Sequence, residues 1–211
     1  MIKTAGKVGL ALGAMFVVAN AQAINFFNVK IFGTSDLIGS VGEGNGFDSS
    51  YVKGANGKDI DFKFNKAQVG DNLPRDFGVI NITFEATADQ AIVLDQVTIT
   101  ATALLLGSGN MRFTEIVEDV VNPGIIANLT VDLDASNNGG FSKDLVFSRQ
   151  SNHIKVKKTI YLDAPNVQNQ FDRAGVGLVE QKLKCVPEPI SMVSMGIGVA
   201  ALVARKRKGS R

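Results

Sequence analysis

The sequence predicts an all-β domain, an antiparallel β-sandwich of about nine short strands, on two observations. Apolar residues recur at every second position through the middle of the chain. Clusters of Gly, Asn, Asp and Ser separate these alternating runs. A third observation frames the domain. Both ends of the chain read as membrane-directed signals, which leaves residues 24–185 as the folded unit between a signal peptide at 1–23 and a C-terminal signal at 186–211. The 211 residues, 45% apolar and 20% charged, suit one domain of ordinary size that buries its core without disulfides.

The N-terminal segment has three parts. Lys3 and Lys7 are a positive n-region, and residues 8–19 are an apolar run too short to span a bilayer. Ala21 and Ala23 are the small residues that a signal peptidase accepts at its cleavage site, so the mature chain is expected to begin at Ile24, in an oxidising compartment. No cysteine follows the run, which argues against a lipoprotein signal. This segment is the expected N-terminal signal helix.

The strands follow in order. Residues 25–32 form a first, weakly patterned strand, and the glycine-rich residues 39–46 form a flexible loop. That loop lacks the Gly-Lys-Ser/Thr ending of a phosphate loop and the spacing of a dinucleotide fingerprint. Ile60, Phe62 and Phe64 share one face of a strand whose other face carries Asp59, Asp61 and Lys63. Ile80, Ile82, Phe84 and Ala86 repeat the pattern, as do Val97, Ile99, Ala101 and Ala103. Residues 112–121 are a less regular strand, and residues 125–133 give the longest alternation. Residues 144–147 are short; Ile154, Val156, Ile160 and Leu162 then share a parity that Lys158 interrupts. Residues 176–184 close the domain, with helix confined to the tails and a turn near 166–172. One apolar face per strand calls for a second sheet, hence the sandwich. A jelly roll or a closed barrel would use the same strands, because the pattern does not fix strand order.

After Cys185 comes Val186-Pro187-Glu188-Pro189, then a 15-residue apolar run at 190–204, then Arg205, Lys206, Arg207 and Lys208. The prolines prevent the helix from starting earlier and keep the segment extended. As a helix the run reaches about 22 Å, short of a ~30 Å hydrocarbon core. The basic cluster acts as a stop-transfer signal on the cytoplasmic side. This order of motif, short transmembrane helix and basic terminus resembles the PEP-CTERM sorting signal of Gram-negative bacteria. The resemblance implies export through the inner membrane, recognition by an exosortase, loss of the tail, and a destination at the cell surface or in the exopolysaccharide matrix of a biofilm. It covers only the last ~25 residues and carries no activity to the β domain.

Charge and composition narrow the function. The net charge of +2 comes from the tails; residues 24–186 carry 15 basic and 19 acidic side chains, which gives no electrostatic reason to bind nucleic acid. One cysteine excludes disulfide frameworks and multi-cysteine metal sites, and one histidine leaves a single imidazole base. By parity His153 lies with Lys155 and Lys157 on a solvated face, and no Gly-x-Ser-x-Gly elbow accompanies it. Asp59 and Asp61 read as the wet face of a strand. Glu115, Glu118 and Asp119 read as edge-strand charge that discourages aggregation. A non-enzymatic chain is therefore expected.

Two binding candidates remain. Asp134, Ser136 and Asn138 fall at alternate positions before Gly139, like the start of a calcium loop, although Leu145 stands where a bidentate carboxylate belongs. The competing reading is a polar hairpin turn. Calcium is thus the one cofactor the sequence admits. For carbohydrate, with no tryptophan in the chain, the platforms are Tyr51 and Tyr161, since Phe62, Phe64 and Phe84 follow the buried parity. The expected function is a structural or adhesive surface protein of an exopolysaccharide matrix. The alternative is a carbohydrate- or calcium-binding module, with a hydrolase the weaker third. The partners are signal peptidase, exosortase and, transiently, the inner membrane. Cys185, next to the motif, is a candidate for cross-linking.

Overall fold

Alternating sequence produces long ladders. The computed structural model describes residues 23–38, 49–53, 57–64, 67–100, 105–137 and 140–186. In chain order they form β1 (Asn25–Gly33), a one-turn helix α1 (Ser35–Ile38), β2 (Ser49–Lys53), β3 (Asp59–Phe64), β4 (Gln68–Gly70), β5 (Phe77–Thr100) and β6 (Leu105–Leu106). Then come β7 (Asn110–Asp119), β8 (Gly124–Leu133), a 3-10 turn (Ala135–Asn137), β9 (Gly140–Asp163), β10 (Arg173–Gly175) and β11 (Leu178–Cys185). All pairings are antiparallel. The tails expected to be helical, the glycine-rich loop at 39–46 and Asn138 lie outside the described residues. All the described residues belong to the unit Gln22–Val186.

β5 and β9 are each 24 residues long and pair from Phe77↔Asp163 to Thr100↔Gly140. Sequence periodicity divides each of them into two strands, because Ala88-Asp-Gln-Ala91 and Ser148-Arg-Gln-Ser-Asn152 break the alternation. The backbone instead stays extended through both stretches. The register shifts between Thr87 and Ile92 and again between Ile92 and Leu94, with the extra residues first on β5 and then on β9. Bulges of this kind bend a ribbon without ending it.

The bent ribbon belongs to two layers. Its first half, 77–87 with 153–163, is flanked by β1 on one side and by β7 then β8 on the other. Its second half, 92–100 with 140–146, is extended by β11, β3 and β2. Ring contacts put the layers face to face: Phe62 of β3 lies 5.9 Å from Phe84 of β5, and Phe113 of β7 lies 5.7 Å from Phe141 of β9. This is the two-layered core of a β-sandwich. A three-stranded sheet, β4-β10-β6, adds buried Val69, Ala174 and Leu105 to it. Leu37 and Ile38 of α1 are also buried.

One expectation is corrected. β7 is no edge strand: it sits between β9 and β8. Glu115 and Asp119 are therefore buried rather than guarding an edge, while Glu118 points outward to Lys157 at 2.5 Å. Lys158 likewise keeps the buried parity of Val156 and Ile160. A strand fixed by its neighbours must send every second side chain inward whatever its polarity, so Lys158 and Glu115 meet in the core, Nζ to Oε2 at 2.5 Å, both fully buried.

Candidate functional site

Because Ile80, Ile82, Phe84 and Ala86 face the core, their neighbours Phe77, Val79, Asn81, Thr83 and Glu85 face outward from the first layer. The pairing aligns them in rows across the sheet. Phe32 of β1 stands opposite Asn81, which stands opposite Thr159, which stands opposite Thr114. Two residues along, Val79, Tyr161, Arg112 and Asp132 form the next row, and Phe77 pairs with Asp163 beyond it.

Three aromatic side chains are thus gathered at one end of an otherwise polar face: Phe77 is 60% exposed, Phe32 49% and Tyr161 38%. The polar groups among them are already oriented. Thr159 Oγ1 donates to Asn81 Oδ1 at 3.0 Å. Arg112 holds both oxygens of Asp132, at 2.6 and 3.2 Å. The Arg112 hydrogen bond keeps the Asp132 carboxyl below the usual carboxylate range and raises Arg112 in return. Flat rings beside fixed donors and acceptors offer stacking for the C–H face of a pyranose and hydrogen bonds for its hydroxyls.

At the other end of the same face, His153 Nε2 lies 2.7 Å from Glu85 Oε2, and the Phe27 ring packs 5.6 Å from the imidazole. Asn28 also donates to Glu85, and these bonds, Asn28 first, lower the Glu85 carboxyl. The nearby Ser151 hydroxyl has two acceptors in reach for its one proton, Asp119 Oδ1 at 2.8 Å and the His153 carbonyl at 2.9 Å, and neither is the ring.

The outer face of the second layer carries a shallow cavity of about 290 Å³ lined by Asp59, Asp61, Gln96, Thr98, Glu180 and Lys182. Asp61 stands directly across from Glu180. Burial, then the Asp59 charge, raises the Asp61 carboxyl, with Lys63 opposing.

The remaining sequence candidates separate. Asp134 Oδ1 accepts hydrogen bonds from the Ser136 backbone N–H at 2.8 Å and from the Ser136 hydroxyl, closing the turn at Ala135–Asn137. Asn138, the third member of that set, lies outside the described residues. Among the described residues no three His, Cys, Asp or Glu side chains form a metal-binding group. The backbone of Tyr51 pairs with Phe62; its side chain is outside the described set. Cys185 is half-buried opposite Ile92, and burial pushes its thiol up.

Sequence reading missed Phe32 and Phe77. Both lie on the outward parity, next to Ile31 and two residues from Val79, but parity alone cannot tell a solvated aromatic from one covered by another segment.

Residues 186–208 match the PEP-CTERM protein-sorting motif. The chain carries that motif, which marks it for export and a surface or extracellular destination. No curated protein matches the chain. Among solved structures it is similar to TmCBM61 in complex with beta-1,4-galactotriose, at 8% identity and a TM-score of 0.40, over 75% of this chain and 89% of that one. It is also similar to the family 11 carbohydrate-binding module of a cellulosomal cellulase of Clostridium thermocellum, at 11% identity and a TM-score of 0.28, over 84% and 93% of the two chains. Values this low establish neither a shared site nor a shared ligand.

Proposed function

We propose that this chain, which carries a PEP-CTERM protein-sorting motif at residues 186–208, is a non-enzymatic matrix protein. Its β domain holds extracellular polysaccharide on the outer face of the first layer. The observation that carries the reading is the grouping of exposed Phe32, Phe77 and Tyr161 beside Asn81, Thr159, Arg112 and Asp132. Large rings left in water without a packing role are costly for solubility, and rings beside fixed hydrogen-bonding groups are suited to a sugar chain. An open sheet face fits a long polymer rather than a small metabolite, which a deep pocket would enclose. The sorting motif supplies the setting: signal peptidase and exosortase are the processing partners, and a matrix polysaccharide is the ligand. The domain then acts as an adhesive element between polymer and cell surface.

Affinity electrophoresis of the protein through gels containing the host's purified exopolysaccharide tests this. Retardation of the native chain is expected, with at least tenfold weaker binding by the Phe77→Ala/Tyr161→Ala double variant. Both side chains are exposed, so the variant should unfold at an unchanged urea concentration. Equal retardation of variant and native protein overturns the assignment.

A further inference from the structure

We propose that the corner of the domain where β5 and β9 pass from one layer to the other is a membrane-facing surface, and that the β7–β8 hairpin tip rests its exposed apolar side chains in the lipid headgroup region while the sorting tail is inserted. The inference rests on the sorting motif and is independent of polysaccharide binding.

The tether sets the geometry. The first residue of the motif is held by the domain: the Val186 N–H donates to the Ala91 carbonyl at 2.9 Å, at the bend of β5. Only Pro187, Glu188 and Pro189 separate that anchored residue from the apolar run that begins at Ile190. The four steps from Val186 to Ile190 span at most about 14 Å. A membrane-inserted run therefore keeps the surface around Ala91 close to the headgroups.

That surface is defined by the contacts around the bend. Thr87 pairs with His153 and Ile92 with Ser151, so the two bent stretches lie side by side. The hairpin tip is fastened to them. The Val120 N–H donates to the His153 carbonyl at 3.0 Å, Arg149 Nε reaches Asp119 Oδ2 at 3.0 Å, and the Arg149 guanidinium donates to the Asn122 carbonyl. Ile24, the expected mature N-terminus, donates its N–H to the Gly57 carbonyl at 2.7 Å, and Lys58 accepts from Leu183 near the end of β11.

The side chains of the hairpin tip fit a lipid surface, with Asp89 the exposed carboxylate on the bend itself. At the tip Val121 is 59% exposed and Ile125 58%, with Val120 and Pro123 beside them. The carboxylate beneath them, Asp119, is buried and paired with Arg149, so it presents no charge to anionic headgroups. Phe77 and Tyr161 stand at the opposite end of the same strands. Tyr161 is eight residues along β9 from His153, about 26 Å at the rise of an extended strand. A sugar-holding face would then point away from the membrane.

The chain contains no tryptophan, so a single introduced indole reports on one place. The full chain, tail included, is reconstituted into phosphatidylethanolamine/phosphatidylglycerol vesicles as Val121→Trp, Ile125→Trp or Phe171→Trp; Phe171 is exposed in the loop that follows the far end of β9. On vesicle binding the first two should emit at shorter wavelength and lose at least half their intensity to lipids brominated near the headgroup, with Phe171→Trp unchanged. Solvent-like emission from Val121→Trp and Ile125→Trp, quenching equal to that of Phe171→Trp, or failure of the chain to float with the vesicles each overturns the proposal.

Discussion

Asp95 offers the sharpest test of how the core is held together. It is fully buried between the layers, where Gln181 Nε2 donates to its Oδ2 and also lies 3.3 Å from Glu115 Oε1. Lys158 neutralises Glu115 at 2.5 Å and lies over the Phe113 ring at 5.4 Å, leaving no second cation for Asp95 among the described residues. Asp95 Oδ1 and Gln181 Oε1 have no hydrogen-bond partner. Burial first, then the Glu115 charge and a hydrogen bond with the Glu115 carboxyl, hold Asp95 well above the usual carboxylate range, with Lys158 opposing. A proton on Asp95 removes the uncompensated charge and turns an orphan acceptor into a donor.

The folded state therefore keeps that proton at pH values where the unfolded chain has lost it. The Asp95 contribution to stability is full below the unfolded pKa of about 3.9. It falls by about 1.4 kcal/mol per pH unit as pH rises toward the folded value, and is flat beyond it. Asp95→Asn is neutral at every pH and keeps both an acceptor for Gln181 and a donor beside it. Urea midpoints at pH 4, 6 and 8 should show near parity at pH 4 and an advantage for Asp95→Asn of about 1–3 kcal/mol at pH 8, the cost of an unsatisfied buried polar group. That is roughly 2–4 °C in Tm per kcal/mol for a domain of this size. Carboxylates remote from this cluster titrate identically in both proteins and cancel in the difference. A variant that is less stable than the native chain by the same amount at all three pH values refutes the reasoning.

Three further outcomes are expected. Lys158→Met leaves Glu115 buried without its partner and should cost about 3–5 kcal/mol in urea unfolding, while adding Glu115→Gln should recover most of the loss; a double variant no better than the single one contradicts the pairing. Asp172 accepts hydrogen bonds from the Ser108 N–H at 2.6 Å and the Val167 N–H at 2.8 Å, and these bonds, Ser108 first, lower its carboxyl. Its contribution is present above the unfolded carboxylate pKa and lost as pH falls through the folded one, so Asp172→Asn should lower the urea midpoint at pH 7 and converge on the native chain in acid. Intact mass of protein from host membrane and surface fractions should give a mature surface form that begins at Ile24 and ends near residues 187–189; a surface form retaining Arg205–Arg211 contradicts processing at the motif.

Much of this architecture is written in local pattern. Alternation placed Ile60, Phe62, Ile80, Phe84 and Ile160 in the core, and the structure buries all of them. It also placed Tyr161 outward, because a pleated backbone assigns faces by parity alone. The sorting motif was legible for a similar reason: it is recognised as a linear segment, so its order along the chain is its information. What parity cannot say is which strands become neighbours. The break at Ala88–Ala91 looked like a strand end and is a bend, since the bulged ribbon is stabilised by partners remote in sequence, β1 on one half of β5 and β11 on the other. Glu115 looked like edge charge and Lys158 like an interruption of a buried face, yet they form a buried pair, because only the placement of β7 beside β9 brings them to 2.5 Å. The grouping of Phe32, Phe77 and Tyr161, and the docking of Val186 on Ala91 at the bend of β5, follow from pairing across dozens of residues. Local alternation assigned most strand faces and the linear motif gave the address; Ile125, which shares the parity of Leu129 and Leu133, is instead turned outward by the bulge that buries Ile126. Which faces, charges and ends share a surface is set by strand order and register, and alternation is the same for every order the strands could take.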